Sequence, residues 1–276
     1  MLLDLVVAEL LSRVEADEHR ARLVLAEKDD GRSASARCLD LGQLPRLHRA
    51  RASLTTPLDS SPALSLDVIQ LSVAPIGTNC YVVRRPGADE AVVVDPGGEA
   101  PRILLTLEET GARCAAILIT HGHWDHLGAV AELADATGAP VHMARGERTL
   151  LERLDSISPQ ELGLRPRSPD VLLRGDETLQ LASISFAVIR IPGHSPAHLA
   201  YAANGCLFSG DLLFAGGVGR TDLPGGDWDT LLDSIATLLD RFPPETIVYS
   251  GHGPATTLGR EAAENPFLAE LRATHR

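Results

Sequence analysis

Aromatic side chains are scarce in this 276-residue chain: five phenylalanines, three tyrosines and two tryptophans make up 4% of it. A core must therefore rest on Leu, Val, Ile and Ala, and the apolar content of 44% is ordinary for a globular protein. Lysine is almost missing; Lys28 is the single one, and arginine supplies the other 24 basic residues. That bias fits GC-rich coding and carries no functional reading. Positive charge is in deficit overall, with a net charge of −12 and a pI near 5.2. This argues against a nucleic-acid partner or an anionic membrane surface, because phosphate binding needs a basic face. No run approaches the roughly 18 apolar residues of a membrane span. The N-terminus has no basic stretch, and Asp4 and Glu9 interrupt its apolar run, so no signal peptide is expected. The cysteines, Cys38, Cys80, Cys114 and Cys206, are far apart and form no CxxC; they read as free buried thiols in a reducing compartment. A cytoplasmic location is the expectation.

Two textures divide what is present. Residues 1–65 begin with helical spacing of Leu3, Val6, Val7, Leu10, Leu11 and Val14, then become rich in Ser, Arg, Asp and Pro. They read as an N-terminal appendage, a helix plus a loose segment, either solvated or serving as a contact in a homo-oligomer. Residues 66–276 read as one larger domain. Short strands are expected at Asp67–Val73, Asn79–Arg84 and Glu90–Val94, then a helix at Pro101–Thr110 with Pro in its first turn, and a strand at Cys114–Ile119. Helix follows at Gly128–Thr137, strand at Val141–Ala144 and helix at Glu147–Leu154. Strands at Leu179–Ala182, Ile184–Ile191, Leu199–Ala203 and Cys206–Ser209 precede a helix at Trp228–Phe242, a strand at Thr246–Tyr249 and a terminal helix at Glu261–Leu271. Runs of strands followed by a helix, repeated twice, predict an α/β fold of two packed sheets with helices outside, a four-layer αββα sandwich.

The chemistry concentrates in Thr120-His121-Gly122-His123-Trp124-Asp125-His126. Three imidazoles and a carboxylate fall within six positions at the end of an apolar strand. Imidazole with carboxylate suits zinc, iron or manganese, and the lack of thiolate points away from a closed structural zinc site. In an extended segment His121 and His123 project to the same side, whereas Asp125 and His126 follow a turn, a direction suited to a second ion. Three more donors stand in the same context, after a strand and beside small residues: His194 in Ile191-Pro192-Gly193-His194, Asp211 in Ser209-Gly210-Asp211 and His252 in Ser250-Gly251-His252-Gly253.

HxHxDH, then Gly-His, Gly-Asp and Gly-His, in this order over residues 66–276, resembles the metallo-β-lactamase fold superfamily. Leu213-Phe214, Gly219-Arg220-Thr221-Asp222-Leu223-Pro224-Gly225-Gly226, Gly251-His252-Gly253-Pro254 and Glu261 with Asn265-Pro266-Phe267 resemble its glyoxalase II-like hydrolases, especially the short bacterial type. The resemblance implies that His121, His123 and His194 bind a first divalent metal, that Asp125, His126 and His252 bind a second, and that Asp211 bridges them. Zinc is the metal expected, with iron or manganese as alternatives. It implies a metal-bridging hydroxide that attacks a small-molecule thioester such as an acylglutathione, with Asp125 and Asp211 as catalytic groups and Asp125 orienting the hydroxide. Arg220 and Asp222 either line the substrate entrance or pair to hold their loop.

Departures from the family pattern keep other readings open. Glutathione-specific members carry a long C-terminal helical extension, and only 24 residues follow His252 here, so a different thioester, another small ester or a lactone is an alternative substrate. Persulfide dioxygenases share the fold, the HxHxDH and a similar Gly-Arg-Thr-Asp loop but use a single iron and oxygen; the His252-Gly253-Pro254 context looks more like the hydrolases. Nucleic-acid hydrolysis is disfavoured by the charge, and a flavo-diiron oxidoreductase by histidine at position 123. Asp95 reads as a supporting or turn residue, Asn79 and Cys80 as structural, and His142 and His198 as satisfied structural histidines.

Overall fold

A computed structural model describes residues 35–37, 65–269 and 271, the first three by backbone alone. Apart from Ser35–Arg37 and Ser65, the expected N-terminal appendage lies outside the described residues.

The first sheet contains β1 (Ser35–Arg37), β2 (Asp67–Val73), β3 (Thr78–Arg84), β4 (Glu90–Val94), β5 (Arg113–Leu118), β6 (Val141–Ala144) and β7 (Val171–Leu173), paired in that order. Pairing is antiparallel from β1 to β4 and parallel from β4 to β7. The parallel half needs crossovers, supplied by α1 (Ala100–Glu109), by α2 (Trp124–Leu127) with α3 (Val130–Thr137), and by α4 (Arg148–Glu152) with α5 (Leu154–Ile157). The chain then builds β8 (Thr178–Leu181), β9 (Ile184–Arg190), β10 (Leu199–Ala203) and β11 (Cys206–Gly210). A small hairpin of β12 (Leu213–Phe214) and β13 (Gly217–Val218) follows, then α6 (Trp228–Arg241), β14 (Ile247–Ser250), β15 (Thr256–Thr257) and α7 (Leu258–Glu264). The second sheet runs β15-β14-β11-β10-β9-β8.

Side-chain alternation shows the layers. In β4, Ala91 and Val93 pack with Ile103 and Leu107 of α1 and Leu133 of α3. Val92 and Val94 point the other way, into a cluster with Phe186, Tyr201 and Phe208 of the second sheet. On the far side of that sheet, Ile189, Ala200, Leu207 and Val248 meet Leu231, Ile235 and Leu238 of α6. Each fully buried aliphatic side chain contributes about 1.5–3 kcal/mol relative to exposure, so three such clusters suffice without many aromatics. The few rings are placed between the sheets, where Tyr81, Phe208 and Tyr249 lie 5.3–5.5 Å apart centroid to centroid. The αββα sandwich expected from the sequence is the observed fold.

Local differences have local causes. The helix expected from Gly128 begins only at Val130, because the Ala129 N–H donates to Pro96 O at 2.9 Å instead of continuing the helix. Asp125 and His126 occupy a separate short turn, α2. The terminal helix is interrupted after Glu264: Asn265 precedes proline and is extended (φ −65°, ψ 118°), its side chain caps the next turn by accepting from Phe267 N at 3.1 Å, and Ala269 and Leu271 are helical again. The helix expected at 147–154 is broken into a 3₁₀ turn, Arg145–Glu147, followed by α4 and α5. The expectation of four free thiols also changes. Cys80 and Cys114 are free and buried, whereas Cys206 is disulfide-bonded, since separation along a chain does not bound separation in space. Among the described residues no helix is long and apolar enough to cross a membrane.

Candidate metal centre

Strand ends from both sheets converge on one edge of the sandwich. His121 follows β5, and His123 precedes α2, which carries Asp125 and His126. His194 lies in the β9–β10 loop, Asp211 directly after β11, and His252 just beyond β14. All seven residues singled out in the sequence meet here, although the segments are up to 131 positions apart (252 − 121).

His121 Nε2, His123 Nδ1 and His194 Nε2 form a triangle with sides of 3.0, 3.2 and 2.9 Å. The partners of the other ring nitrogens fix two tautomers. His194 Nδ1 donates to Arg220 O at 2.7 Å. His121 Nδ1 lies 3.0 Å from Thr120 Oγ1, whose own hydrogen goes to Asp95 Oδ2 at 2.7 Å. The Nε2 atoms of His121 and His194 therefore face each other with lone pairs, an arrangement that a cation stabilises. A tetrahedral shell with metal–nitrogen bonds of 2.0–2.1 Å places neighbouring nitrogens about 3.3 Å apart, close to this triangle.

The second group is built from carboxylates and imidazoles. Asp125 Oδ2 lies 3.4 Å from both His126 Nε2 and His252 Nε2. Asp211 spans the two groups: Oδ1 is 3.4 Å from His126 Nε2, while Oδ2 is 3.5 Å from His252 Nε2 and 3.7 Å from His194 Nε2. His126 Nε2 and Asp211 Oδ1 are buried without a hydrogen-bond partner among the described residues. Buried orphan donors and acceptors are costly, and their convergence on one space fits divalent ions. The donor atoms fall into three overlapping sets, each within 4.8 Å: His121, His123 and His194; His121, His126 and Asp211; and Asp125, His126 and His252.

Electrostatics differ between the halves. Burial drives His121 well below its ordinary pKa, His123 down to about 4, and His194 downward, so these rings are neutral, the form that ligates. Burial also opposes charge on His126 and His252, but the surrounding carboxylates outweigh it and raise both, His252 to about 9. Asp125, whose burial favours the neutral form, is pulled down to about 2 mainly by His126. Asp211 is likewise held low by His126 against burial. Without ions, protons on two imidazoles balance the carboxylates; divalent cations would replace those protons.

Supporting residues hold the donors. Asp95, in the left-handed region at φ 49°, accepts from Thr120 N at 2.8 Å and from His126 Nδ1 at 3.0 Å, alongside the Thr120 hydroxyl. It supports rather than joins the donor cluster, as its place in a turn suggested. Thr78 donates to Asp125 Oδ2 at 2.8 Å. Asn79 Nδ2 donates to Ser250 O and Gly253 O, at 3.0 and 2.8 Å, on either side of His252. Sequence reasoning missed Thr78 and Glu147; neither carries a local signal. Arg220 and Asp222 form a bidentate pair, both contacts 2.6 Å. His198, expected to be a satisfied structural histidine, is fully buried with neither ring nitrogen paired among the described residues, and its ring lies 4.7 Å from that of His121. His142 also leaves Nδ1 unpaired among them.

Comparison with known proteins shows the family. Residues 73–252 match the metallo-beta-lactamase superfamily. The chain is 37% identical to a probable metallo-hydrolase, YqgX, of Bacillus subtilis (strain 168), over 72% of this chain and 96% of the relative. It is 38% identical to the hydroxyacylglutathione hydrolase GloC of Haemophilus influenzae, over 64% of this chain and 87% of the relative. Among solved structures, TTHA1623 in a di-iron-bound form superposes with a TM-score of 0.65 at 41% identity, covering 72% of this chain and 99% of that one.

Proposed function

This chain belongs to the metallo-beta-lactamase superfamily, and on that premise we propose that it hydrolyses a small-molecule thioester, such as an acylglutathione, with two divalent metal ions. The observation that carries the reading is the bridge geometry of Asp211, one oxygen toward His126 and the other toward His194 and His252. His121, His123 and His194 would hold one ion, Asp125, His126 and His252 the other, and Asp211 both. Zinc is proposed because imidazole and carboxylate suit it; the di-iron form of TTHA1623 makes iron the second choice. Bound there, the ions would lower the pKa of water to near 7 and polarise the substrate carbonyl.

The chain's own residues then have defined tasks. Asp125 commits Oδ2 to Thr78, His126 and His252, which leaves Oδ1 to orient the attacking water and hold its proton. Water adds to the carbonyl carbon, the carbon–sulfur bond breaks, and the products are a carboxylate and a thiol. The Arg220 backbone carbonyl accepts from His194 Nδ1 and orients that ring. A single-iron persulfide dioxygenase is the second reading, since that group shares the HxHxDH stretch and the Gly-Arg-Thr-Asp loop; the His252-Gly253-Pro254 context favours hydrolysis.

The test is metal analysis of the purified full chain beside an assay with S-lactoylglutathione. Two ions per chain with thioester cleavage is the expected result. A single iron per chain, with oxygen uptake on a glutathione persulfide, would replace this reading with the second.

A further inference from the structure

The three-histidine half draws on both sheets: His121 and His123 follow β5 of the first, and His194 follows β9 of the second. A spacing of about 3 Å between atoms on two independently rooted loops needs something that locks one loop to the other. Glu147 touches both. It closes the 3₁₀ turn after β6 and is 1% exposed. Its Oε2 accepts from Gly122 N at 3.1 Å, and its Oε1 accepts from Ser195 Oγ at 2.7 Å and Ala197 N at 3.0 Å.

Gly122 is the residue between His121 and His123, and Ser195 directly follows His194. Packing points to the same brace by a separate route. A Cβ on Gly122 would lie 2.7 Å from Glu147 Oε2 and 2.4 Å from Leu150 Cδ1, and one on Gly146 would lie 2.6 Å from Ala197 Cβ. The turn is thus pressed onto both histidine loops with no room for a methyl group. All three hydrogen-bond donors to Glu147 lie on the two histidine loops. Burying a carboxyl group is expensive unless it is hydrogen-bonded, and the two loops supply those bonds.

We infer that Glu147 is a positioning residue for the three-histidine half: it sets the distance between the His121/His123 loop and the His194 loop. The inference rests on the dinuclear reading above. Groups that orient metal ligands typically change affinity ~10–100-fold when removed.

The experiment compares the wild-type full chain with Glu147→Gln, Glu147→Ala and Ser195→Ala. Each is stripped of metal and titrated with Zn²⁺ against a chromophoric chelator, then with Co²⁺ while the visible ligand-field bands are recorded. Melting of each ion-free protein is followed in parallel. In Glu147→Ala one of the two binding steps should weaken ~10–100-fold, with altered cobalt bands, while the other step holds. Glu147→Gln, which keeps an acceptor for Gly122 N, should fall between that variant and wild type. Ser195→Ala removes a single donor and should move the same step less; it also serves as the readout if Glu147→Ala does not fold. Two unchanged binding steps with only a lower melting temperature would make Glu147 an ordinary core residue and overturn the inference. A wild type that takes up fewer than two ions would instead overturn the dinuclear reading.

Discussion

Gly251 lies so close to Asp211 that a Cβ there would sit 2.0 Å from the Asp211 Oδ1 atom and 2.7 Å from His126 Cε1. The same glycine ties two strands together: its N–H donates to Gly210 O at 2.8 Å, and its carbonyl accepts from Asn79 N at 2.7 Å. Glycine is needed here for close approach to the carboxylate that joins the two donor groups. Gly251→Ala should therefore displace Asp211 rather than unfold the domain. Its expected phenotype is a folded protein with fewer than two tightly bound ions and a loss of hydrolysis of ~100-fold or more, the upper range for removing support from ligands. Elemental analysis and circular dichroism on the same sample check this; full metal content with full activity would contradict it.

Asp95→Asn separates charge from backbone conformation. Asn tolerates the left-handed φ of 49° that Asp95 adopts, so no new strain is introduced. What disappears is the anionic acceptor of the His126 Nδ1 and Thr120 donors. Affinity for the ion on the His126 side should drop ~10–100-fold, with little change in fold. Competition with a chelator reads the affinity directly.

Much of this was open to sequence reading, for a physical reason. Ligands at strand ends need neighbouring small residues and apolar strands behind them, and both marks are local: Gly210-Asp211 and Gly251-His252 announce themselves. The sandwich was legible because buried strands such as Ala91-Val92-Val93-Val94 are apolar on both faces. Glu147 and Thr78 were not legible, because their partners lie 48 and 47 residues away and nothing local distinguishes an acid that turns inward. The break at Ala129 was hidden for the same reason, since its competing acceptor, Pro96 O, belongs to another loop. The break in the last helix, by contrast, was written in Asn265-Pro266, and the apolar spacing beyond it hid the interruption.

Stability of the ion-free protein should pass through a maximum near pH 6.5. His123, at about 4 when folded, binds fewer protons than the unfolded chain does between about 4 and 6.5, so stability falls as pH falls through that window. His252, at about 9 when folded, binds more protons than the unfolded chain between about 6.5 and 9, so stability falls as pH rises through that window. Loaded ions replace the His252 proton and should flatten the alkaline limb. Melting temperatures from pH 5 to 9, with and without excess Zn²⁺, make the check; an alkaline limb as steep with zinc as without it would contradict the prediction.

Asp222→Ala tests whether the glycine-rich loop acts through shape or through contact with the substrate. The carboxylate is exposed and is held down to about 2 by the Arg220 guanidinium, and an exposed ion pair is worth little to stability. The contact that reaches the donor cluster is the Arg220 backbone carbonyl on His194 Nδ1, which a side-chain change at 222 loosens but does not remove. Metal content and melting temperature should therefore stay at wild-type values. With Arg220 released from its bidentate partner, its guanidinium is free to follow an anionic substrate, so KM should shift by a few-fold while kcat changes less. If kcat and metal content fell together instead, the pair would be part of the support for His194, and the loop's role would be to shape the centre rather than to meet the substrate.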